Sequence, residues 1–344
     1  MAKNQYQLVT FFLNGKEVER MIDVRASLTD MLRNDFSMTS VKKGCEVGEC
    51  GACNVLIDGE CYNSCLYLAV WAEGKHITTL EGLMGPNGEL SEGNCLLLSD
   101  GGVHLLLDAG ISTRRIKAGL LQLGLTMADV DGVLITHEHS DHVSGLQTMV
   151  KHHRIPIYTS PGTARQLAYR IAGIESLLRP VEPGTVFSVG DCRVTVFRTS
   201  HDAAQSVDYR VDGSAAVGFL TDTGFVTPEA EAALAGVDTL VLESNHDVEW
   251  LRSGPYPYSL KARILGDEGH LSNDAAAEFA ARMARCGTRC IILAHLSREN
   301  NTPQRAWDTV QRRLNTVEAE VLLEVAPRSE VSPPYGMEVP VCSE

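Results

Sequence analysis

The sequence predicts a two-domain α+β protein, in which a small β-rich domain precedes a larger domain of alternating strands and helices. Five of the ten cysteines fall within residues 45–65, in a stretch with strong hairpin signals. After a breaker-rich segment at residues 84–89, apolar strand-like runs alternate with helical patterns as far as residue 327. A length of 344 residues is enough for two domains of ordinary size.

The overall composition narrows the classes of function. The net charge is −14, so no broad basic surface for nucleic acid is expected. A metal-dependent nuclease is still compatible, because metal ions neutralise phosphates locally. No apolar run approaches the roughly 20 residues of a membrane span, and residues 1–5 lack the apolar core of a signal peptide. We therefore expect a cytoplasmic protein without a membrane partner.

Residues 1–85 show the pattern of a small β-rich domain. Apolar alternation and the turn Asn14-Gly15 predict a hairpin, and Ser27 is a suitable helix cap. A second hairpin turn is expected at Asp58-Gly59. In order, the predicted elements are strands at 8–13 and 18–24, a helix at 28–36, a strand at 55–57 and a helix at 65–72.

From residue 95 onward the pattern is that of an α/β domain. A hairpin through Asp100-Gly101-Gly102 is followed by buried strands that alternate with amphipathic helices. Later strands are predicted at 132–136, 194–198, 216–221, 239–243 and 290–294, and helices at 113–123, 163–171, 228–235, 273–286 and 302–314. The residues after 327 are expected to be a loosely ordered tail.

The cysteine cluster has the spacing of an iron–sulfur site. Cys45, Cys50 and Cys53 follow the C-x₄-C-x₂-C pattern, and Cys65 comes beyond a hairpin, as in plant-type [2Fe–2S] proteins. Glycines within the loop allow its backbone N–H groups to face cluster sulfurs. A zinc knuckle would need paired C-x₂-C units, which this spacing does not provide. Cys61 competes with Cys65 for the fourth position.

Gly44-Cys45-Glu46-Val47-Gly48-Glu49-Cys50-Gly51-Ala52-Cys53 and Ser64-Cys65-Leu66 resemble the iron–sulfur subunit of molybdenum hydroxylases, such as xanthine and carbon monoxide dehydrogenases. The resemblance covers about residues 5–85. It implies a β-grasp, ferredoxin-like fold that transfers electrons to a redox partner subunit. That subunit normally continues into a helical domain with a second four-cysteine cluster, and nothing after Leu83 supplies one.

The hexapeptide His137-Glu138-His139-Ser140-Asp141-His142 indicates a metal site. Three imidazoles and a carboxylate so close together are the mixed nitrogen and oxygen donors that divalent metals bind. The motif directly follows a buried strand, at the end where open α/β sheets place their sites. His201, Asp222 and His295 each follow an apolar strand in the same way, so they are expected to converge with the hexapeptide.

This arrangement resembles the metallo-β-lactamase superfamily over residues 91–327, and within it the YycJ (WalJ)-like branch. The branch is indicated by Ser200-His201-Asp202-Ala203, Gly254-Pro255-Tyr256-Pro257 and Gly269-His270-Leu271-Ser272-Asn273. The resemblance implies an αββα sandwich, here without its first strand, and two divalent ions, zinc or manganese. His137, His139 and His201 would hold one ion, Asp141, His142 and His295 the other, and Asp222 would bridge them, with Asp108 orienting the loop.

Proteins of this branch are regarded as nucleases or phosphodiesterases. A similar residue order in RNase Z implies that His270, with Glu243 behind it, assists the leaving oxygen. Asp141 is a candidate proton acceptor, because a pair of cations lowers the pKa of water between them. The sequence thus predicts a binuclear phosphodiester hydrolase that acts on nucleic acid or another phosphodiester.

Three other functions stay open from the sequence. One is the iron–sulfur subunit of a molybdenum hydroxylase-type oxidoreductase, and another is a thioester or lactone hydrolase. Glu138 also keeps a flavodiiron-type redox site open, since such a site needs more carboxylates. The expected organisation is a [2Fe–2S] domain at 1–85, a linker at 86–93, a hydrolase domain at 94–327 and a tail at 328–344.

Overall fold

The computed structural model describes residues 6–38, 40–79, 93–327, 331, 332 and 335. The chain divides into two compact units, residues 1–92 and 93–344. The predicted fold class, a β-grasp sheet followed by a metallo-β-lactamase sandwich, is confirmed. The breaker segment at 84–89 and most of the tail lie outside the described residues. The finer domain boundaries given above stay a prediction.

The first unit is built on one mixed five-stranded sheet of order β2-β1-β5-β3-β4. On one side β1 pairs in parallel with β5, and on the other side it pairs in antiparallel fashion with β2. Phe11, Leu28, Leu32 and Ile77 are fully buried between the sheet and the helix Leu28–Asn34, which Ser27 caps. The strands are β1 Tyr6–Leu13, β2 Lys16–Asp23, β3 Asn54–Ile57, β4 Glu60–Asn63 and β5 His76–Thr78.

The prediction of a helix at residues 65–72 is wrong. The segment instead forms two short 3₁₀ turns, Ser64–Leu66 and Ala69–Ala72, with an extended backbone between them. Leu28 N donates to Tyr67 O (2.6 Å) and Ala69 N donates to Ala26 O (2.9 Å). These bonds to the residues around the helix start replace the intrahelical bonds that residues 65–72 would otherwise form.

The second unit contains two sheets packed face to face. The five-stranded sheet has the order β10-β9-β8-β7-β6, and the seven-stranded sheet runs in sequence from β11 to β17. The strands are β6 Leu96–Asp100, β7 Val103–Leu107, β8 Gly132–Leu134, β9 Ile157–Thr159, β10 Leu178–Pro180, β11 Val186–Val189, β12 Cys192–Arg198, β13 Val207–Asp212, β14 Ala216–Leu220, β15 Thr239–Glu243, β16 Cys290–Ala294 and β17 Leu322–Val325.

Helices cover the outer face of each sheet, which completes the αββα arrangement. One core joins the two sheets through residues such as Leu105, Val194 and Tyr209. Two further cores lie between each sheet and its helices. The helices are Thr113–Gln122, Ser140–Val143, Leu146–His152, Pro161–Arg170, Pro228–Leu234, Val248–Ser253, Tyr258–Ile264, Asn273–Arg285 and Pro303–Leu314.

The topology brings several strand ends to one edge of the sandwich. β7, β8 and β9 run in parallel, as do β14, β15 and β16. β12 has the same direction as β14, because each pairs in antiparallel fashion with β13. The loops that follow β7, β8, β12, β14 and β16 therefore meet. Among the described residues, no helix is both long and apolar enough to cross a bilayer.

The core under the helix Asn273–Arg285 supports the larger unit. Phe279 is 0% exposed there, so Phe279→Ala is expected to lower the free energy of unfolding by about 3–5 kcal/mol. Leu121→Ala, at a side chain that is 71% exposed, should change it by less than about 0.5 kcal/mol. Urea unfolding of the full chain in a Trp71→Phe background, followed by tryptophan fluorescence, reports this unit. A loss below about 1 kcal/mol for Phe279→Ala would contradict this account of the core.

Candidate metal centre and iron–sulfur loop

The hexapeptide begins just after β8 and ends in the short helix Ser140–Val143. Asp108, which follows β7, is buried beneath it and accepts hydrogen bonds from Thr136 N (2.9 Å) and His142 Nδ1 (2.7 Å). A carboxylate has only acceptors, so the Nδ1 atom of His142 carries the proton. The Nε2 atom of this ring is therefore left to face the centre of the site.

Similar bonds orient the other imidazoles. His201 Nδ1 donates to Gly269 O (3.1 Å), and its Nε2 atom lies 3.3 Å from His139 Nδ1. His137 Nδ1 lies 3.0 Å from the Thr136 hydroxyl. The opposite atom of that ring, His137 Nε2, is buried and forms no hydrogen bond among the described residues. The three rings thus direct nitrogen atoms toward one another.

The ligating atoms fall into groups whose members all lie within 4.8 Å of one another. One group is His137, His139 and His201, and a second is Asp141, His142 and His295. Asp222 lies in a further group with His137 and His142, one residue from each of the first two. Asp222 also belongs to a fourth group, with Glu243, His270 and His295. Asp222 therefore lies where it could contact either of two cations. Asp222 Oδ2 is buried without a hydrogen bond in the described part, as a ligand awaiting a cation would be.

The electrostatics of the site also suit cations. Burial alone would raise the pKa of Asp222, but the charges of His295 and His142 hold that pKa well below its usual range. Burial lowers the pKa of His137 well below the ordinary value for histidine, so that ring stays neutral and available as a ligand. The residues present therefore fit a pair of divalent ions in their donor chemistry.

Three residues of the site have left-handed backbones although none is glycine. Asp108, Asp222 and His295 have φ values of 58°, 48° and 55°. Asp108 and His295 directly follow β7 and β16, and Asp222 follows β14 with one residue between. The left-handed residue turns the chain at each of these strand ends. Such conformations cost about 1–3 kcal/mol each and persist where the surrounding structure imposes them.

Glu243, at the end of β15, holds two rings at once. Its Oε1 atom accepts from His270 Nδ1 (2.9 Å) and from His295 Nδ1 (2.8 Å). Its Oε2 atom accepts from Thr223 N and Leu271 N, both at 3.0 Å. Burial would raise the pKa of Glu243, but His270 and His295 lower it to about 2. The pairing of His270 with Glu243 was anticipated from the sequence, whereas the hold on His295 was not.

Glu138 lies outside all of these groups. Its carboxylate accepts from Ala204 N (2.8 Å) and from the Thr163 hydroxyl (3.2 Å), and Arg170 donates to its carbonyl oxygen (2.9 Å). Glu138 thus ties the hexapeptide to the loop that follows His201. Because Glu138 does not lie among the metal donors, it no longer supports a flavodiiron-type site, which needs additional carboxylates.

A cleft opens beside His270 and His295. Tyr256, Leu260, Arg263 and Ile264 line it together with residues of the metal centre. Arg263 donates to Asp202 Oδ2 (2.6 Å), and Asp202 Oδ1 lies 3.5 Å from His201 Nε2. Sequence reasoning missed this ion pair, although the position of Asp202 directly after a ligand candidate was a usable signal. Lys261, two residues before Arg263, donates to the carbonyls of Arg252 and Gly254.

In the first unit, the cysteine loop wraps its backbone around the sulfurs. Cys45 Sγ accepts from Glu49 N (3.2 Å) and Cys50 N (3.3 Å), and Cys50 Sγ accepts from Cys45 N (3.3 Å). Backbone hydrogen bonds, that of Val47 first, lower the pKa of Cys45 to about 6. A Cβ atom on Gly44 would come within 2.6 Å of Cys50 Sγ, so a larger residue there would require that sulfur to move.

The fourth cysteine of the loop is indicated by its contacts. Cys65 forms a side-chain hydrogen bond with Cys53. Burial raises the pKa of Cys65, and Cys45 lies close enough for its charge to raise that pKa further. Cys61 is exposed on β4, opposite Leu56. The four sulfur atoms of Cys45, Cys50, Cys53 and Cys65 fit the donor set of a [2Fe–2S] cluster, with backbone N–H groups that stabilise thiolates.

Comparison with known proteins gives two separate matches. The model of the "Beta-lactamase superfamily domain" matches residues 104–296. The exodeoxyribonuclease YycJ of Bacillus anthracis is 38% identical over 231 residues, which are 65% of this chain and 86% of that protein. The chain belongs to the β-lactamase superfamily. The solved metallo-β-lactamase fold protein YhfI of Bacillus subtilis covers 69% of the chain and is itself covered to 90%, with a TM-score of 0.52 and 17% identity, which supports the fold.

The second match covers the first unit of this superfamily member. The model of the "2Fe-2S iron-sulfur cluster binding domain" matches residues 11–78. The xanthine dehydrogenase iron–sulfur-binding subunit of Escherichia coli O157:H7 is 53% identical over 70 residues, which are 20% of this chain and 43% of that subunit. The predicted resemblance of each half is therefore confirmed. The first unit is a [2Fe–2S] binding domain like those of molybdenum hydroxylase small subunits.

From the contacts of the cysteine loop we expect Cys50, but not Cys61, to be required for the cluster. Cys50→Ser should abolish the visible absorption of the reconstituted cluster, because it removes a sulfur that the loop backbone surrounds. Cys61→Ser, the matched control, should keep wild-type absorption and iron content. The measurement is visible absorption with iron and sulfide analysis of the full chain. Loss of the cluster in Cys61→Ser with retention in Cys50→Ser would contradict the assignment.

Proposed function

We propose that this protein is a binuclear metal-dependent phosphodiesterase that acts on DNA and carries a [2Fe–2S] electron-transfer domain. The observation that supports it is the position of Asp222 between two groups of metal donors, beside a cleft lined by His270. The similarity to the exodeoxyribonuclease YycJ over 86% of its length supports DNA as the substrate.

In this proposal the metal ligands are those expected from the sequence. His137, His139 and His201 would hold one ion, Asp141, His142 and His295 the other, and Asp222 would contact both. Zinc and manganese both accept such nitrogen and oxygen donors. A bound pair of divalent ions supplies a water of lowered pKa and neutralises charge on the phosphate.

His270 and Asp141 are the proposed proton-transfer groups. Glu243 holds His270 by Nδ1, which leaves the Nε2 atom to reach the oxygen of a leaving nucleotide from the wall of the cleft. Asp141 lies on the same cleft and is 35% exposed at its side chain, so it can accept a proton from water. Arg263 also lines this cleft, and its guanidinium could bind a substrate phosphate in place of Asp202.

The role of the first unit is proposed from its cluster. The [2Fe–2S] centre would carry electrons for a redox partner. A function as a complete iron–sulfur subunit of an oxidoreductase is less well supported, since the matched domain model ends at residue 78 and the match covers 43% of the xanthine dehydrogenase subunit. We propose domains at 1–85 and 94–327 with a linker at 86–93 and a tail from 328.

Leaving-group chemistry provides the sharpest test of this function. His270→Ala should lower cleavage of a labelled DNA duplex by about 10²–10⁴-fold, the usual contribution of a general acid. It should affect bis(p-nitrophenyl) phosphate much less, because p-nitrophenolate leaves without a proton. His152→Ala, at an exposed histidine, is the matched control and should retain both activities.

Two further variants separate the metal centre from the cluster. Asp222→Ala should lose bound divalent ions, measured by elemental analysis, and both activities, whereas Cys50→Ser should retain hydrolysis. A panel of thioester and lactone substrates is assayed in parallel. Turnover of those esters without any cleavage of DNA or bis(p-nitrophenyl) phosphate would refute the proposed substrate class and favour the thioester or lactone hydrolase.

A further inference from the structure

Asn94 is held against the metal centre although no role was assigned to it from the sequence. It lies just before β6, and its backbone is fixed at both polar groups. Asn94 N donates to Asp141 O (2.7 Å), and Gly110 N donates to Asn94 O (2.8 Å). The backbone of Asn94 is thus bonded directly to that of a proposed metal ligand.

Two glycines allow this close approach. A Cβ atom on Gly93 would overlap the Gly110 carbonyl oxygen, and a Cβ atom on Gly110 would overlap Asp141 O. The chain segments at Gly93, Gly110 and Asp141 therefore lie backbone against backbone. This packing sets the position of Asn94 independently of its own side chain.

The carboxamide of Asn94 reaches the centre of the site. Its Nδ2 atom lies 3.0 Å from His142 Nε2, which in turn lies 3.1 Å from Asp222 Oδ2 and 3.7 Å from Asp141 Oδ2. His142 Nδ1 is committed to Asp108, so a cation would bind this ring at Nε2, the atom that faces the carboxamide of Asn94.

We propose that Asn94 is an oxygen ligand of the cation that Asp141, His142 and His295 hold. A cation bound at Nε2 of His142 leaves no acceptor there for the amide N–H group of Asn94. Rotation of the carboxamide by about 180° turns Oδ1 inward, and this group is a neutral donor of the kind that divalent ions accept. This inference rests on the metal centre of the proposed function.

An extra oxygen donor changes the chemistry of that cation position. With Asn94, the position combines Asp141, Asp222 and the amide oxygen with His142 and His295, whereas the other position is dominated by His137, His139 and His201. Five protein donors rich in oxygen suit a six-coordinate ion such as Mn²⁺ better than tetrahedral zinc. We therefore assign Asn94 to selection of the metal at this position.

Manganese titration tests this role without reference to hydrolysis. Free Mn²⁺ is followed by its electron paramagnetic resonance signal while the metal-free full chain is titrated. The wild type should bind two Mn²⁺.

Asn94→Ala should bind one of them at least tenfold more weakly, the usual scale for losing a supporting group at a metal site. Asn94→Asp, which keeps an oxygen, should bind both at least as tightly as the wild type. Asn315→Ala, at the exposed end of the helix Pro303–Leu314, should match the wild type.

Each other outcome would count against the role of Asn94. Two Mn²⁺ bound with wild-type affinity by folded Asn94→Ala would overturn it, even if the KM for DNA rises. Binding of fewer than two Mn²⁺ by the wild type would instead refute the binuclear centre of the proposed function, and this inference with it. If circular dichroism shows Asn94→Ala unfolded, Asn94→Leu, which keeps the side-chain volume without an oxygen, is compared with Asn94→Asp. Equal Mn²⁺ affinities of those two would overturn the inference.

Discussion

Two buried carboxylates that hold histidine rings by their Nδ1 atoms determine the geometry of the candidate metal centre. Asp108 fixes His142, and Glu243 fixes both His270 and His295. Each bond sets which ring nitrogen faces inward, so the donor atoms are arranged before any cation arrives. Buried charges of this kind need partners, and the rings supply them. Removing either carboxylate would therefore disturb both ring orientation and charge balance.

The sequence was informative where chemistry depends on spacing along the chain. The cysteine spacing indicated the iron–sulfur loop, and the hexapeptide with later residues after apolar strands predicted the residues that meet at the candidate metal centre. Predicted strands such as 239–243 and 290–294 match the structure, because buried parallel strands are short continuous apolar runs. The helix predicted at 65–72 failed because long-range bonds from Leu28 and Ala69 replaced local ones.

Other features of the site depend on contacts that no local pattern reveals. Glu138 was read as a possible ligand because it lies within the hexapeptide, yet the Ala204 amide binds it elsewhere. The contact of Asn94 with His142 joins residues 48 positions apart and depends on glycines that permit backbone approach. The ion pair of Arg263 with Asp202 likewise joins distant segments. Such pairs become visible only when the fold brings the strand ends together.

The left-handed backbones of Asp108, Asp222 and His295 restrict which substitutions these three positions tolerate. Asparagine and aspartate tolerate that conformation better than most side chains. Asparagine could therefore replace Asp108 or Asp222 at little cost to the backbone conformation. Glutamate adopts this conformation less readily, and its side chain is also longer. His295 has fewer substitutes that both ligate a metal and accept this turn. A change of metal preference among related sequences would thus be expected to alter helix-borne positions such as Asp141 before those three.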